Sequence, residues 1–146
     1  MSDPEAVLTG RCYCGVTTLC ATARPQAVTY CHCSDCRRLT GAPVAAFAAF
    51  ALQQVQFTPS KGPRKSVTKG VDRWFCAGCG SQLAATYGYL PGQIYIPLGI
   101  IDQAATLQPQ GHSHTDSALP WFHIDDTLPR DQGSARVRLQ DAGPTS

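Results

Sequence analysis

The chain carries little charge. Asp, Glu, Lys and Arg make up 15% of its 146 residues, against roughly 25% in ordinary globular domains. Twelve basic and ten acidic side chains leave a formal net charge of +2. That balance argues against a protein held on nucleic acid by bulk electrostatics. No apolar run approaches the ~18 residues of a membrane span, so no membrane partner is expected. The first ten residues contain Asp3 and Glu5 and no cationic-then-apolar pattern. No secretory leader is therefore expected, and the reading is a cytoplasmic protein whose thiols stay reduced. A hydrophobic content of 43% is enough for a core and argues against wholesale disorder.

Cysteine is what the chain has in excess. Seven of its eight cysteines fall in tight clusters: Cys12-x-Cys14, Cys31-x-Cys33-xx-Cys36 and Cys76-xx-Cys79, with Cys20 alone. Clustered pairs in a reducing compartment point to metal rather than to disulfides. Cys76-Ala77-Gly78-Cys79-Gly80 has the form of a zinc knuckle, with Gly78 and Gly80 free to take the left-handed backbone such a turn requires. A closed tetrahedral zinc needs four ligands. Cys12 and Cys14 are the natural second pair, because that choice leaves the triple intact. The ion would then staple the N-terminal strand to a later hairpin.

Cys31, Cys33 and Cys36 supply three thiolates from one loop. Catalytic zinc keeps three protein ligands and an open position. Three thiolates make the zinc a weak Lewis acid, better suited to holding an incoming thiol as thiolate than to ionising water. The competing reading is a closed site, with His32, Cys20, Asp35 or a distant histidine as fourth ligand.

Short Thr/Val-rich stretches broken by Gly and Pro predict an all-β domain with few or no helices. Gly15–Thr22, Ala27–Tyr30 and Val55–Thr58 read as strands. A helical turn follows Cys36 and stops at Gly41 and Pro43. Val44–Leu52 is open between helix and buried strand, since Phe47 and Phe50 stand three apart in an alanine-rich run. Gln93–Ile100 alternates, with Ile94, Ile96, Leu98 and Ile100 on one face, and Pro97 predicts an edge strand. Residues 127–146 read as a polar, poorly ordered tail that begins near residue 125.

Four blocks carry a resemblance: Gly10–Val16 (GRCYCGV), Tyr30–Pro43 (YCHCSDCRRLTGAP), Phe75–Ser81 (FCAGCGS) and Leu119–Asp126 (LPWFHIDD). In this order they are similar to the glutathione-dependent formaldehyde-activating enzyme family, which also includes centromere protein V. The resemblance covers residues 8–126. It implies zinc-bound, twisted antiparallel sheets of the Rab-exchange-factor-like fold, with Val44–Leu52 as strand. It also implies two zinc ions, one structural on Cys12, Cys14, Cys76 and Cys79, the second on Cys31, Cys33 and Cys36. Cys20 matches no family ligand and is expected to be a small buried hydrophobe.

The activity implied is that of a carbon–sulfur lyase: condensation of formaldehyde with glutathione to S-hydroxymethylglutathione, and its reversal. The partner would be glutathione or a related small thiol. His32 is the nearest candidate in sequence for the proton donor, and Arg37 and Arg38 are the local candidates for the substrate's carboxylates. Lys61, Arg64, Lys65, Lys69 and Arg73 read as a solvated strand edge. Trp121 and Phe122 read as an apolar clasp or pocket lining. The alternative is a non-catalytic, zinc-stabilised binding or scaffold module. The family's chromatin and cytoskeletal members rely on basic extensions that this sequence does not show.

Overall fold

The computed structural model describes residues 6–141. Ten strands form two sheets. The smaller is β1 (Leu8–Arg11), β2 (Thr18–Ala21) and β5 (Val55–Thr58), paired antiparallel in the order β1-β2-β5. The larger is built on β3 (Ala27–Cys31), β4 (Ala45–Ala51), β9 (Gln93–Pro97), β8 (Gln82–Tyr87), β7 (Val71–Phe75) and the short edge β6 (Arg64–Lys65). At its other edge β10 (His112–Ser113) lies parallel to β3, in register with Tyr30 and Cys31. The zinc-type β-fold expected from the sequence is the fold observed, with cysteine clusters positioned to hold metal.

The ambiguous alanine run is a strand, β4. Period-two alternation sends Phe47 and Phe50 to opposite faces, whereas a helix would have put them on one side. Phe50 and Ala48 join Leu8, Leu19, Ile94 and Ile96 in the core that unites the two sheets. Phe47, Ala45 and Ala49 face the other way, toward Tyr95, Cys36 and Leu139. Both faces of β4 are covered, which is why the sequence shows an unbroken apolar run and no alternation.

The alternating Gln93–Ile100 segment puts Ile94 and Ile96 into the first core, with Leu98 and Ile100 packed against it. Its Pro97 does not mark an edge. Strand β9 lies between β4 and β8. Pro97 is its last residue, opposite Phe47, where the chain leaves the sheet into the 3₁₀ turn Leu98–Ile100. The missing amide falls at the strand's end and not in its interior. Cys20 is half-buried rather than buried. The alternation of β2 turns Leu19 and Ala21 inward and leaves Cys20 on the other face.

The segment expected to be a loose tail folds back as far as it is described. Arg130 bridges His112 in parallel, Arg138 pairs with Asp131 at 3.0 Å, and α2 (Arg136–Asp141) buries Leu139 against the second core. Two buried apolar residues in that stretch, Ala135 and Leu139, give the docking its driving force. They are too few to show as a periodic pattern in the sequence. The last residues, 142–146, lie outside the described part.

Candidate active site

The first cysteine cluster joins two turns that come from different strands. Cys12 and Cys14 follow β1, where the Thr17 carbonyl accepts from the Cys12 amide and the Cys12 carbonyl accepts from Gly15. Cys76 and Cys79 follow β7, in a turn closed by Cys76 N–H to the Ser81 carbonyl and Gly80 N–H to the Cys76 carbonyl. Gly15 and Gly80 take left-handed φ of 82° and 80°, which an L side chain resists. Of the two glycines singled out in the knuckle, Gly80 alone needs that freedom. A Cβ on Gly78 would instead make ordinary contact with Cys14 and Cys76 Sγ, at 3.7 and 3.8 Å.

All four sulfurs lie within 4.8 Å of one another. Tetrahedral thiolates ~2.3 Å from a zinc stand about 3.8 Å apart. Cys12–Cys14 and Cys14–Cys76 are separated by 3.6 and 3.8 Å, so the group fits the ion without rearrangement. Bonds from the Ser81 hydroxyl and amide hold the Cys79 thiol down at about 5, a bias toward the thiolate that a metal requires. Cys12 and Cys76 are buried with Leu83, Cys79 is half-buried and Cys14 stands at the surface.

The second cluster is built on the end of β3 and the start of α1 (Ser34–Thr40). Cys33 is the N-cap of that helix, its sulfur accepting from Cys36 N–H at 3.2 Å. Helix termination is as expected: Gly41, at φ 71°, caps it through a bond to the Arg37 carbonyl. Cys36 Sγ is 3.2 Å from Cys31 Sγ, and the three sulfurs again lie within 4.8 Å of one another. Among the described residues no fourth Cys, His, Asp or Glu donor joins them. Neighbouring side chains of Cys31 and Cys36 hold Cys33 far below the ordinary thiol value, while the same contacts push Cys36 up.

All three cysteines of this cluster line one cavity of about 270 Å³, whereas of the first cluster only Cys12 borders a groove; the volume is near the low end of the roughly 300–1,000 Å³ of small-molecule pockets. Tyr87, Tyr89 and Tyr95 line it together with His114. Tyr95 is committed to Gln93 Oε1 at 2.7 Å. Burial first, and then the neighbouring cysteines, raises Tyr89, and burial raises Tyr87 strongly as well, so both phenols stay protonated. His114 is the one described non-glycine residue with positive φ, at 56°. Its amide donates to the Gly133 carbonyl at 2.7 Å, and the folded-back tail thus fixes a backbone conformation that aims a histidine at the sulfurs' cavity.

The sequence candidates divide. His32 is 5% exposed and does not line the cavity. Its Nε2 meets His112 Nδ1, and His112 Nε2 meets Asp126 at 2.9 Å. Arg37 and Arg38 line a separate groove with Leu119 and the exposed Trp121. The cations on the sulfurs' cavity are Lys69 and Arg73, which came from the stretch read as a solvated edge. Lys61, Arg64 and Lys65 keep to that reading: β6 is exposed and Lys61 Nζ sits 4.1 Å above the Trp74 ring. The tyrosines had no local motif, and the His112-Ser113-His114 pair that contains His114 is weak evidence by itself for a metal ligand; neither histidine joins a sulfur cluster. Only the register of β10 on β3, and the hairpin of β7 and β8, bring His114 and the tyrosines to the knuckle.

A β-fold with one four-sulfur cluster and one three-sulfur loop on a cavity defines a class of cysteine-rich proteins able to hold metal, with room for a ligand at the second cluster. The family description "glutathione-dependent formaldehyde-activating enzyme" matches residues 7–117, and the chain belongs to that family. A solved protein of Rhodobacter sphaeroides, a structural-genomics target, superposes with a TM-score of 0.51 at 17% identity. The match covers 84% of this chain and 98% of that one, and it supports the fold alone. No curated protein matches the sequence.

Proposed function

We propose that the protein is a zinc-dependent carbon–sulfur lyase that joins a small thiol, glutathione or a relative, to formaldehyde and reverses the step. Family membership supports a glutathione-dependent, formaldehyde-activating type of chemistry. The observation that carries the reading is the contrast between the two clusters: four sulfurs that make a complete tetrahedral set, and three that face a cavity with no fourth donor among the described residues. The first set, Cys12, Cys14, Cys76 and Cys79, would hold a structural zinc. Cys31, Cys33 and Cys36 would hold the second, which when bound supplies the positive charge that keeps an incoming thiol ionised.

In the forward direction the substrate sulfur attacks the carbonyl carbon and a C–S bond forms. The carbonyl π pair moves to oxygen, which then takes a proton. The protonated phenols of Tyr87 and Tyr89 supply hydrogen-bond donors for that oxygen, in a cavity where water is partly excluded. His114 stands in the same wall. In this reading His32 supports the loop from behind rather than carrying the proton. The enzyme would work in the cytoplasm, where glutathione is abundant and the thiolates stay reduced.

The test is a titration of glutathione into cobalt-substituted protein, paired with exchange measurements on S-hydroxymethylglutathione above the uncatalysed rate. A change in the thiolate-to-metal absorption with accelerated exchange is the expected result. An unresponsive spectrum and an exchange rate equal to the blank would leave a zinc-stabilised binding module in place of the enzyme.

A further inference from the structure

We infer that Arg73 makes the cavity select thiols that carry a carboxylate. The inference deepens the proposed function and rests on its reading of the cavity as a thiol site. Arg73 lies in β7, in register with Ala85 of β8 and Lys65 of β6, and its side chain lines the cavity that holds the three sulfurs. The guanidinium carbon stands 5.8 Å from the centre of the Tyr87 ring. Its Nη1 is buried and has no hydrogen-bond partner among the described residues.

Arg64, Arg130 and Arg138 each have an aspartate, at 3.6, 2.8 and 3.0 Å, whereas no carboxylate pairs with Arg73 among the described residues. Asp35 lines the same cavity as Arg73, but no ion pair joins them among the described residues. A buried guanidinium donor left unmade is costly, and the cost is recovered when a ligand supplies the acceptor. A guanidinium offers a planar fork that matches a carboxylate through two parallel bonds. Set against tyrosine rings in a partly enclosed space, the pairing gains from the lowered dielectric. Lys69 adds charge of the same sign, but it is exposed and its contribution is screened by solvent.

A competing role exists for the same cation: balancing the negative charge of three thiolates. The two roles differ in what they do to the ligand. A counter-ion of the sulfurs affects every thiol alike, whereas a carboxylate partner affects only thiols that bear one.

The experiment uses zinc-loaded protein and two thiols of nearly equal shape, 3-mercaptopropionate and its amide, with glutathione as a third ligand. Binding is measured by calorimetry, and zinc content and circular dichroism verify each variant. The wild type is expected to bind the acid about 10- to 100-fold more tightly than the amide, the range of a charge-assisted hydrogen-bonded pair. Arg73→Gln should abolish that preference and weaken glutathione by a similar factor, with the amide unchanged within about twofold. Arg73→Lys, which keeps the charge but not the fork, should restore part of it. Wild-type protein that binds acid and amide equally overturns the inference without calling on any variant. Equal losses for acid and amide in Arg73→Gln overturn it in favour of the counter-ion role. Wild-type protein that binds neither thiol nor glutathione overturns the underlying reading of the cavity as well.

Discussion

His32 Nε2 lies 2.9 Å from His112 Nδ1, and both rings are buried. The far nitrogen of His112 meets the Asp126 carboxylate, also at 2.9 Å, and Asp126 is paired to Arg130 at 2.8 Å. An ionised carboxylate only accepts, so the proton of a neutral His112 sits on Nε2. Its Nδ1 is then an acceptor, and His32 must donate from Nε2. Burial, followed by the nearby His112 and Arg130, holds His32 below the ordinary imidazole value, which keeps it neutral. The chain of bonds anchors the residue between Cys31 and Cys33 to a loop some ninety positions away in sequence. The Tyr30 ring stacks on His112 at 4.7 Å and closes the assembly.

His112→Phe keeps an aromatic ring beside Tyr30 but removes the acceptor for His32. The buried Nε2–H is then unsatisfied, and stability should fall by about 1–3 kcal/mol. Urea unfolding of the zinc-loaded protein measures it, and an unchanged midpoint would show that His32 finds another partner.

Asp126 gives a pH dependence of fixed sign. Burial pushes its carboxyl up, but bonds from His112, the Leu128 amide and Arg130 outweigh this and hold it below the ordinary value. A group whose folded pKa is depressed contributes stability that is present above its unfolded value of ~3.9 and lost as pH falls through the folded one. Asp126→Asn should therefore be less stable than the wild type at neutral pH, with the gap closing as pH drops below about 4. Acid release of metal affects both proteins, so the difference between them isolates the carboxylate. A gap that does not change with pH would contradict this.

The two metal sites should respond differently to loss of a sulfur. Cys76 is buried in the corner that joins β1 to β7, and Cys76→Ser should lose its zinc together with the cooperative unfolding transition. Cys33→Ser should retain that transition, keep the structural zinc, and lose the second ion and the thiol response. Metal analysis combined with thermal unfolding distinguishes the two patterns.

Backbone closeness sets a further expectation. A Cβ on Gly10 would stand 2.5 Å from the Ile100 carbonyl oxygen, where β1 bridges the Ile101 segment. Gly10→Ala should force that contact apart and cost about 1–3 kcal/mol. Gly99 has open space around its Cα, so Gly99→Ala should stay within about 1 kcal/mol of the wild type. Paired denaturant curves check both.

The folded-back C-terminal segment makes its own prediction. Leu139 is 7% exposed and packs beside Tyr95 and Leu90, lining the cavity of the second cluster. Leu139→Ala should cost about 2–4 kcal/mol and weaken thiol binding as the cavity wall loosens, with the first zinc retained. Unaltered stability would mean that α2 is not part of the fold's core.

Spacing alone determined which cysteines form which group. Thiolates two to five positions apart cannot escape one another, and pairing one knuckle with another is a matter of counting ligands. The family blocks and the β character were legible for the same reason, since short motifs and turn residues are local. What tertiary structure decided was everything that depends on register. The parallel placement of β10 on β3 turned His32 toward His112 and put His114 at the cavity. The pairing of β7 with β8 brought Arg73 beside Tyr87, and α1 carried Arg37 and Arg38 to a different groove. A side chain's neighbour in the chain points along another direction in a strand or helix. Sequence adjacency to a cysteine was therefore a poor guide to which groups share its cavity.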